Sequence, residues 1–228
     1  MNIGLIISTY NWRDALSLVI ESIKVQSRFP DEVVICDDGS SDGTAELISR
    51  YNKGFPCEIK HVWQEDKGFR VASSRNNGIN ALSKKIDYVI IIDGDMILHK
   101  KFIQDHIDLS QKGCFTQGSR VLIAKKKTID ILKNKKTEDF QFNFFTSGIY
   151  KRKNTLRIPF LSYFLSRINS KLDGIRACNM GFWRHDLYSV NGFNELFIGW
   201  GLEDTELVYR LYKIGIMRKN IKFSAIAY

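Results

Sequence analysis

The chain has 228 residues, 44% hydrophobic and 26% charged, enough to bury a sizeable core in one large domain or two intimate ones. Its four cysteines, Cys36, Cys57, Cys114 and Cys178, include no Cys-x-x-Cys pair and argue against zinc, and no apolar run approaches the roughly 18 residues of a membrane span. A net charge of +9 favours an anionic partner; the bases are spread along the chain without a nucleic-acid module, which leaves an anionic substrate or an acidic membrane surface.

Met1 leads straight into a strand over residues 3–8, with no secretory leader. That strand ends at the polar turn Thr9-Tyr10-Asn11, and Ala15, Leu16, Leu18, Val19 and Ile23 then recur at helical spacing over residues 12–26. Residues 27–31, with Pro30, break that helix. A second strand over 32–36 runs into Asp37-Asp38-Gly39-Ser40-Ser41-Asp42-Gly43, followed by a helix over 44–51 and a third strand over 57–63. Residues 67–75 lead into a helix ending near Leu82.

Residues 88–96, Tyr-Val-Ile-Ile-Ile-Asp-Gly-Asp-Met, organise the chain. The apolar run reads as a strand buried on both faces, central in a parallel sheet. Strand–helix alternation implies right-handed crossovers, and ligands of such sheets sit beyond the carboxyl ends of the strands. The endings Thr9-Tyr10, Asp37-Asp38 and Asp93-Gly94-Asp95 all fall at that edge.

Beyond Met96 the expectations are a helix over 101–111, a strand over 114–123 and a basic stretch over 125–136 whose plain reading is a solvated face. Residues 156–168 interleave aromatic and aliphatic residues with Arg157 and Arg167. They read either as a basic amphipathic helix lying on an anionic membrane or as a helix covering the sheet. A strand, short helix and turn follow over 179–193, then the Gly199-Trp200-Gly201 turn, a helix over 203–214 and a last strand over 221–227.

Asp93 and Asp95 at the mouth of an apolar strand require a cation in compensation, and an oxygen-only pair suits Mg²⁺ or Mn²⁺. A strand end followed by a turn is the plain alternative. Asp37 and Asp38 can accept from a ribose hydroxyl or a base N–H, or simply build an Asx turn. Lys67, Arg70 and Arg75 can meet a diphosphate, or be surface bases. Glu203 and Asp204 either favour the helix dipole, pair with an arginine, or act as a catalytic base. Trp200 between two glycines is poised to stack on an apolar ring face, or else fills the core. There is no Gly-x-Gly-x-x-Gly, Walker loop or Gly-x-Ser-x-Gly elbow.

Taken together, the motifs resemble the family 2 glycosyltransferases of the GT-A fold. The matching pieces are Ile7-Ser8-Thr9-Tyr10-Asn11, the segment 34–44, Arg75-Asn76-Asn77-Gly78, Asp93-Gly94-Asp95, Asn179-Met180-Gly181-Phe182-Trp183, Asn191-Gly192-Phe193-Asn194-Glu195 and the segment 199–207. The later pieces are similar to galactosyltransferase-type carboxyl halves, chondroitin polymerase catalytic domains and lipopolysaccharide glycosyltransferases.

The resemblance implies one α/β GT-A domain over 1–228, Rossmann-like, its mostly parallel sheet flanked by helices. Residues 1–98 would be the nucleotide-binding half and 99–228 a smaller acceptor-binding half. It further implies an inverting, metal-dependent enzyme using a UDP-sugar, with a glycan or lipid-linked glycan acceptor. Thr9 and Tyr10 would contact the uracil, Asp37 or Asp38 the nucleoside, and Arg75 would lie near the donor. Asp93 would hold the ribose or sugar, Asp95 would ligate Mn²⁺ or Mg²⁺, and Asn179 and Trp200 would bind substrate. Glu203 would hold a sugar hydroxyl and Asp204 would be the general base. Such enzymes often complete the metal site with a histidine beyond the last strand. Here His61, His99, His106 and His185 lie elsewhere and the sequence reaches Tyr228, so either the natural chain continues or the metal takes fewer protein ligands. The expected location is cytoplasmic, peripheral on the inner membrane face. The rival readings are a sugar- or membrane-binding module with a dead site, and a nucleotidyltransferase, whose glycine-rich phosphate loop is missing.

Overall fold

The computed structural model describes residues 1–134 and 142–228. Lys135 and Lys136 of the basic stretch lie outside the described residues. The first half alternates strand and helix: β1 (Ile3–Thr9), α1 (Arg13–Lys24), β2 (Glu32–Asp37), α2 (Thr44–Asn52), β3 (Glu58–Trp63), α3 (Val71–Ala81) and β4 (Tyr88–Asp93). The second half adds α4 (Phe102–Leu109), β5 (Cys114–Gln117), β6 (Ser119–Arg120), β7 (Leu122–Ile123), α5 (Lys125–Asn134), β8 (Ile149–Tyr150), α6 (Pro159–Leu165) and β9 (Arg167–Asn169). It closes with β10 (Asn179–Trp183), α7 (Arg184–Ser189), α8 (Glu203–Lys213), β11 (Met217–Asn220) and β12 (Ile226–Ala227).

One eight-stranded sheet runs in the order β3-β2-β1-β4-β10-β5-β11-β9. Strands β1 to β4 are mutually parallel, β10 runs against both β4 and β5, β11 is parallel to β5, and β9 opposes β11. Only β10 and β9 therefore run against the common direction, so the sheet is mostly parallel in sense. Because successive strand residues face opposite sides, each central strand feeds two cores. Leu5, Ile7, Val33, Ile35, Ile90 and Ile92 pack with Leu16 and Ile20 of α1 and Phe102 of α4. Ile6, Val34, Val89 and Ile91 pack instead with Ile79 of α3, Leu187 of α7 and Leu207 and Leu211 of α8.

Three expectations for the second half change. The single strand over 114–123 is broken at Gly118, where a Cβ would lie 2.5 Å from Asn179 and 2.6 Å from the Ala225 carbonyl. The chain bends there out of the main sheet so that β6 can pair with β12. The final strand expected over 221–227 survives only as β12 at its end, and an unanticipated strand, β11, precedes it and joins β5 before the chain turns to β12.

The helix expected over 156–168 shortens to α6. Pro159 starts it, since proline fits the first turn and not the interior, and residues 167–169 become edge strand β9. Nor does α6 cover the sheet with its apolar face: Ser162 is 1% exposed while Phe160, Tyr163 and Phe164 are 71%, 71% and 64% exposed. In α5 no side chain is fully buried, as its plain reading implied.

A candidate active site at the carboxyl edge of the sheet

The ends of β1, β2 and β4 meet at one edge and are tied by backbone bonds. The Asp38 N–H donates to the Thr9 carbonyl (3.0 Å) and the Gly94 N–H to the Ser8 carbonyl (2.7 Å). A side chain at Gly94 would put its Cβ 2.8 Å from that carbonyl, so glycine is what lets β4 turn against β1 and aim two carboxylates outward. A cleft of about 640 Å³ opens over this edge, walled on the far side by the start of α8. Thr9, Tyr10, Asp38, Arg75, Asp93, Asp95, Trp200, Glu203 and Asp204 all line it. Residues 95 and 204, more than a hundred positions apart in sequence, thus face one cavity.

Arg75 joins the two walls. Its side chain is buried, with Nε donating to Ser8 Oγ (3.1 Å), Nη2 to Asp93 Oδ1 (3.0 Å) and Nη1 to Glu203 Oε1 (3.1 Å). The Phe193 ring lies 5.3 Å from the guanidinium carbon. With every nitrogen engaged by protein, Arg75 clamps the carboxylates in place, beyond the contact to a donor that the sequence suggested. The other oxygen of Glu203, Oε2, is buried and has no hydrogen-bond partner among the described residues. It is an unsatisfied buried acceptor on a residue that lines the cleft.

Asp204 sits in the first turn of α8, where the helix dipole favours negative charge. Its Oδ1 accepts from the Thr205 N–H (2.7 Å) and its Oδ2 from the Ala177 N–H (3.2 Å), which fixes the carboxylate at the wall. Leu202, at φ 72°, and the flanking Gly199 and Gly201, at φ 94° and 103°, turn the preceding loop outward. Trp200 is therefore 91% exposed at the rim, a free ring face over the cleft.

At the floor, Asp95 has a raised carboxyl pKa, first because the surrounding protein desolvates it and second because Asp93 adds like charge. Burial, with Asp93 and Asp95 nearby, likewise pushes the Cys178 thiol up to about 11. Arg120 offsets part of this negative charge and Arg75 pairs with Asp93. No group of three His, Cys, Asp or Glu side chains suited to a metal occurs among the described residues. The donor set fits a hard divalent ion that takes one or two carboxylates and fills its remaining positions with water and phosphate oxygens. The backbone of Tyr228 pairs with Ile97, two residues from Asp95.

At the β1–β2 end of the cleft, Tyr10 donates its hydroxyl to Asp66 Oδ2 (2.9 Å), and that bond raises its pKa. Asp38 accepts from Gln64 Nε2 (2.6 Å) and from the Arg70 N–H (2.8 Å), and desolvation raises its pKa. Of the two candidate acids at the end of β2, Asp38 is the one that reaches the cleft. Asp37 does not line it: the carboxylate is 1% exposed and bonds to His61 Nε2 (2.9 Å) and the Ser40 N–H (2.8 Å). Burial pushes its pKa up, yet these bonds outweigh burial and leave it lowered.

Asn179 is also away from the main cleft, inside the protein. Its amide donates to the Ser119 and Ala225 carbonyls (3.0 and 2.8 Å), and its Oδ1 meets His106 Nε2 (2.9 Å). His106 continues to Thr116, and Thr116 to the Tyr88 hydroxyl. Asn179 therefore belongs to a buried polar network that stitches β10 to β5, β4 and the last residues of the chain. It does not line the main cleft, where a contact to substrate was expected, but it does line a small side chamber next to that cleft. The adjacent Gly181 is required because a Cβ there would lie 2.5 Å from the Tyr88 hydroxyl.

The glycosyl transferase family 2 profile matches residues 5–173, well over half of the chain. The chain belongs to that family. A second profile, the N-terminal domain of galactosyltransferase, matches residues 160–227. Among curated relatives, the chondroitin synthase of Escherichia coli is 27% identical over 99% of this chain and 34% of its own length. The validoxylamine A glucosyltransferase of Streptomyces hygroscopicus subsp. limoneus is 27% identical over 94% of this chain and 48% of its own. The family 2 chain thus spans about a third to a half of these relatives' lengths.

A mannosyltransferase of Pyrobaculum calidifontis, solved in complex with GDP-Man and Mn²⁺, superposes with TM-score 0.65 over 99% of this chain and 56% of that one at 18% identity. S. aureus TarS 1-349 in complex with UDP gives 0.63 over 100% of this chain and 60% of that one at 19% identity. At those identities the two structures speak to the fold, which is GT-A.

Sequence reading passed over two residues of this cleft, Arg120 and Arg176. Each stands next to a recognisable signal: Arg120 follows the Gly118 break at a strand end, and Arg176 precedes the Cys178-Asn179 segment. A base just beyond a strand of the common direction is the pattern that would have flagged Arg120. A third tie is Asn76, whose amide bonds both ways to Phe193 and reaches Glu195, holding the 191–195 loop to α3.

Proposed function

We propose that the chain is the catalytic domain of an inverting, divalent-metal-dependent glycosyltransferase. It moves a hexose or N-acetylhexosamine from a UDP-sugar to a hydroxyl of a lipid-linked or surface polysaccharide. The observation that carries this reading is the meeting of Asp95, Glu203 and Asp204 across one cleft, with Glu203 Oε2 buried and open. Residues 1–98 contribute the nucleotide side and 99–228 the acceptor side. The family membership and the fold shared with a GDP-Man and Mn²⁺ complex support it.

In this reading the uracil lies by Thr9 and Tyr10, with Asp38 on the nucleoside. Asp95, helped by Asp93, would hold Mn²⁺ or Mg²⁺, which when bound neutralises charge on the diphosphate leaving group. Arg75 keeps Asp93 and Glu203 in register. Glu203 Oε2 accepts from a sugar hydroxyl, and Trp200 stacks on a ring face. Asp204 takes the proton of the acceptor hydroxyl while that oxygen attacks the anomeric carbon. The bond from that carbon to the diphosphate breaks as the new one forms, its electron pair leaves with UDP, and configuration inverts.

The exposed aromatic face of α6, beside Arg167 and Lys171, suits contact with the anionic inner leaflet, the proposed cytoplasmic, peripheral setting for a lipid-linked acceptor. The reading is tested by UDP release over a panel of UDP-sugars with and without Mn²⁺. Release with one or a few donors, dependent on the cation, supports it. Diphosphate released from UTP in the presence of a sugar 1-phosphate, with no UDP from the UDP-sugars, would instead mark a nucleotidyltransferase, and no turnover with nucleotide bound would mark a dead site.

A further inference from the structure

A side chamber of about 210 Å³ adjoins the cleft and shares Arg120, Arg176 and Cys178 with it. Its remaining walls include Lys151, Asn154 and Lys222. Four cationic side chains therefore face this small space, and no carboxylate lines it. None of the four has an ion-pair partner among the described residues, although elsewhere in the chain Arg75, Arg157 and Arg210 are paired. Arg120 is the most confined. Its Nη1 donates only to the Cys178 thiol sulfur (3.6 Å), its Nε is buried without a partner, and Asn154 holds its backbone by donating to the Arg120 carbonyl (2.8 Å).

Asp95 in the adjoining cleft offsets part of the Arg120 charge. Like charges crowded into a chamber that no carboxylate lines still cost free energy, and burying a guanidinium N–H unpartnered adds to the cost. Such a cluster is relieved by an anion, and the guanidinium fork matches the two oxygens of a carboxylate or phosphate. The chamber is smaller than the roughly 300 Å³ of the smallest drug-sized sites, which limits it to one charged substituent of a larger ligand already seated in the cleft. It shares Arg120, Arg176 and Cys178 with the cleft and none of Thr9, Tyr10 or Asp38, so we assign its occupant to the sugar chemistry rather than the base.

We propose that this chamber is an anion subsite that selects an acidic sugar, bearing a carboxylate or phosphate substituent, as one of the two glycans the enzyme joins. The inference rests on the glycosyltransferase reading and names the substrate class of that same site.

The test uses the whole chain with Mn²⁺. UDP alone is titrated first, because UDP binding reports on the underlying reading. A donor arm then compares UDP-glucose with UDP-glucuronate. An acceptor arm compares methyl glucoside, methyl glucuronide and methyl glucoside 6-phosphate on the UDP-loaded protein. In one arm the acidic ligand should bind about tenfold tighter than its neutral counterpart, the usual worth of one charge-assisted pair.

Lys151→Gln with Lys222→Gln, which leaves the main cleft untouched, should cut that preference at least about threefold at unchanged UDP affinity. Arg120→Gln should abolish the preference. Equal affinities in both arms, or a preference indifferent to all three substitutions, overturns the proposal. So does a loss of UDP affinity in Arg120→Gln that accounts for the whole effect, since that assigns the cluster to the diphosphate. Failure of UDP to bind at all would instead overturn the glycosyltransferase reading.

Discussion

Replacing Arg75 by Met removes the clamp that joins the two walls of the cleft. The stem is kept, so packing changes little; the loss is electrostatic. Glu203, 7% exposed, would be left without its counter-charge, and Asp93, whose side chain is 39% exposed, would be left to solvent. Breaking a buried ion pair on one side costs about 3–5 kcal/mol. Because Asp93 is partly solvated, only the Glu203 share applies in full, and about 3 kcal/mol is expected.

For a chain of this length that is a fall in Tm of roughly 6–12 °C, measurable against a total stability of about 5–15 kcal/mol. Urea unfolding of Arg75→Met, Glu203→Gln and the double variant completes a cycle. The double variant should be no less stable than Arg75→Met, because neutralising Glu203 removes the charge that Arg75 compensated. A loss under about 1 kcal/mol, or single effects that add within about 0.5 kcal/mol, would refute the clamp.

Three further outcomes follow from the geometry. Burial lowers the pKa of His106 from its ordinary 6.5 to about 4, so above 6.5 neither state binds its proton and the full stability is present. As pH falls below 6.5 the unfolded chain takes up a proton that the folded chain refuses, and stability drops by about 1.4 kcal/mol per pH unit until near 4. His99 is shifted the same way to about 4, so in urea titrations between pH 6.5 and 5 His106→Gln should lose about half of the slope; an unchanged slope contradicts the assignment. Gly94→Ala, placing a methyl 2.8 Å from the Ser8 carbonyl, should cost about 1–3 kcal/mol in urea unfolding and weaken UDP binding; a wild-type variant would show that the turn has slack. Trp200→Ala should leave stability within about 0.5 kcal/mol, since the ring is 91% exposed, yet slow transfer at least about tenfold in a UDP-release assay.

The parallel half of the fold was readable because period and punctuation agree there. Runs such as Tyr88–Asp93 cannot be amphipathic helices, and the polar residues that end them mark the ligand edge without reference to contacts. The second half was harder, because its turning points depend on partners remote in sequence. Gly118 ends a strand only because Asn179 and the Ala225 carbonyl approach it, and the strand Met217–Asn220 carries Arg218 and Lys219 and shows little apolar signal. In the site, residue types announced chemistry while environment decided use. Asp37 and Asp38 are chemically identical neighbours, yet pleating turns one to His61 and the other to the cleft. Asn179 serves as a hydrogen-bond hub, a role its residue type does not announce, since an amide can satisfy a buried histidine and two carbonyls at once.

The central claim is that the carboxylate of Asp204 accepts the acceptor's proton at a nucleotide-diphosphate site. Asp204→Asn keeps the shape and one of the two bonds from the Thr205 and Ala177 N–H groups, since the amide has a single accepting oxygen, while removing the base. Sugar transfer measured beside UDP affinity should show transfer reduced at least about a hundredfold, in line with general-base catalysis, at near wild-type UDP binding. Transfer at the wild-type rate would contradict the account.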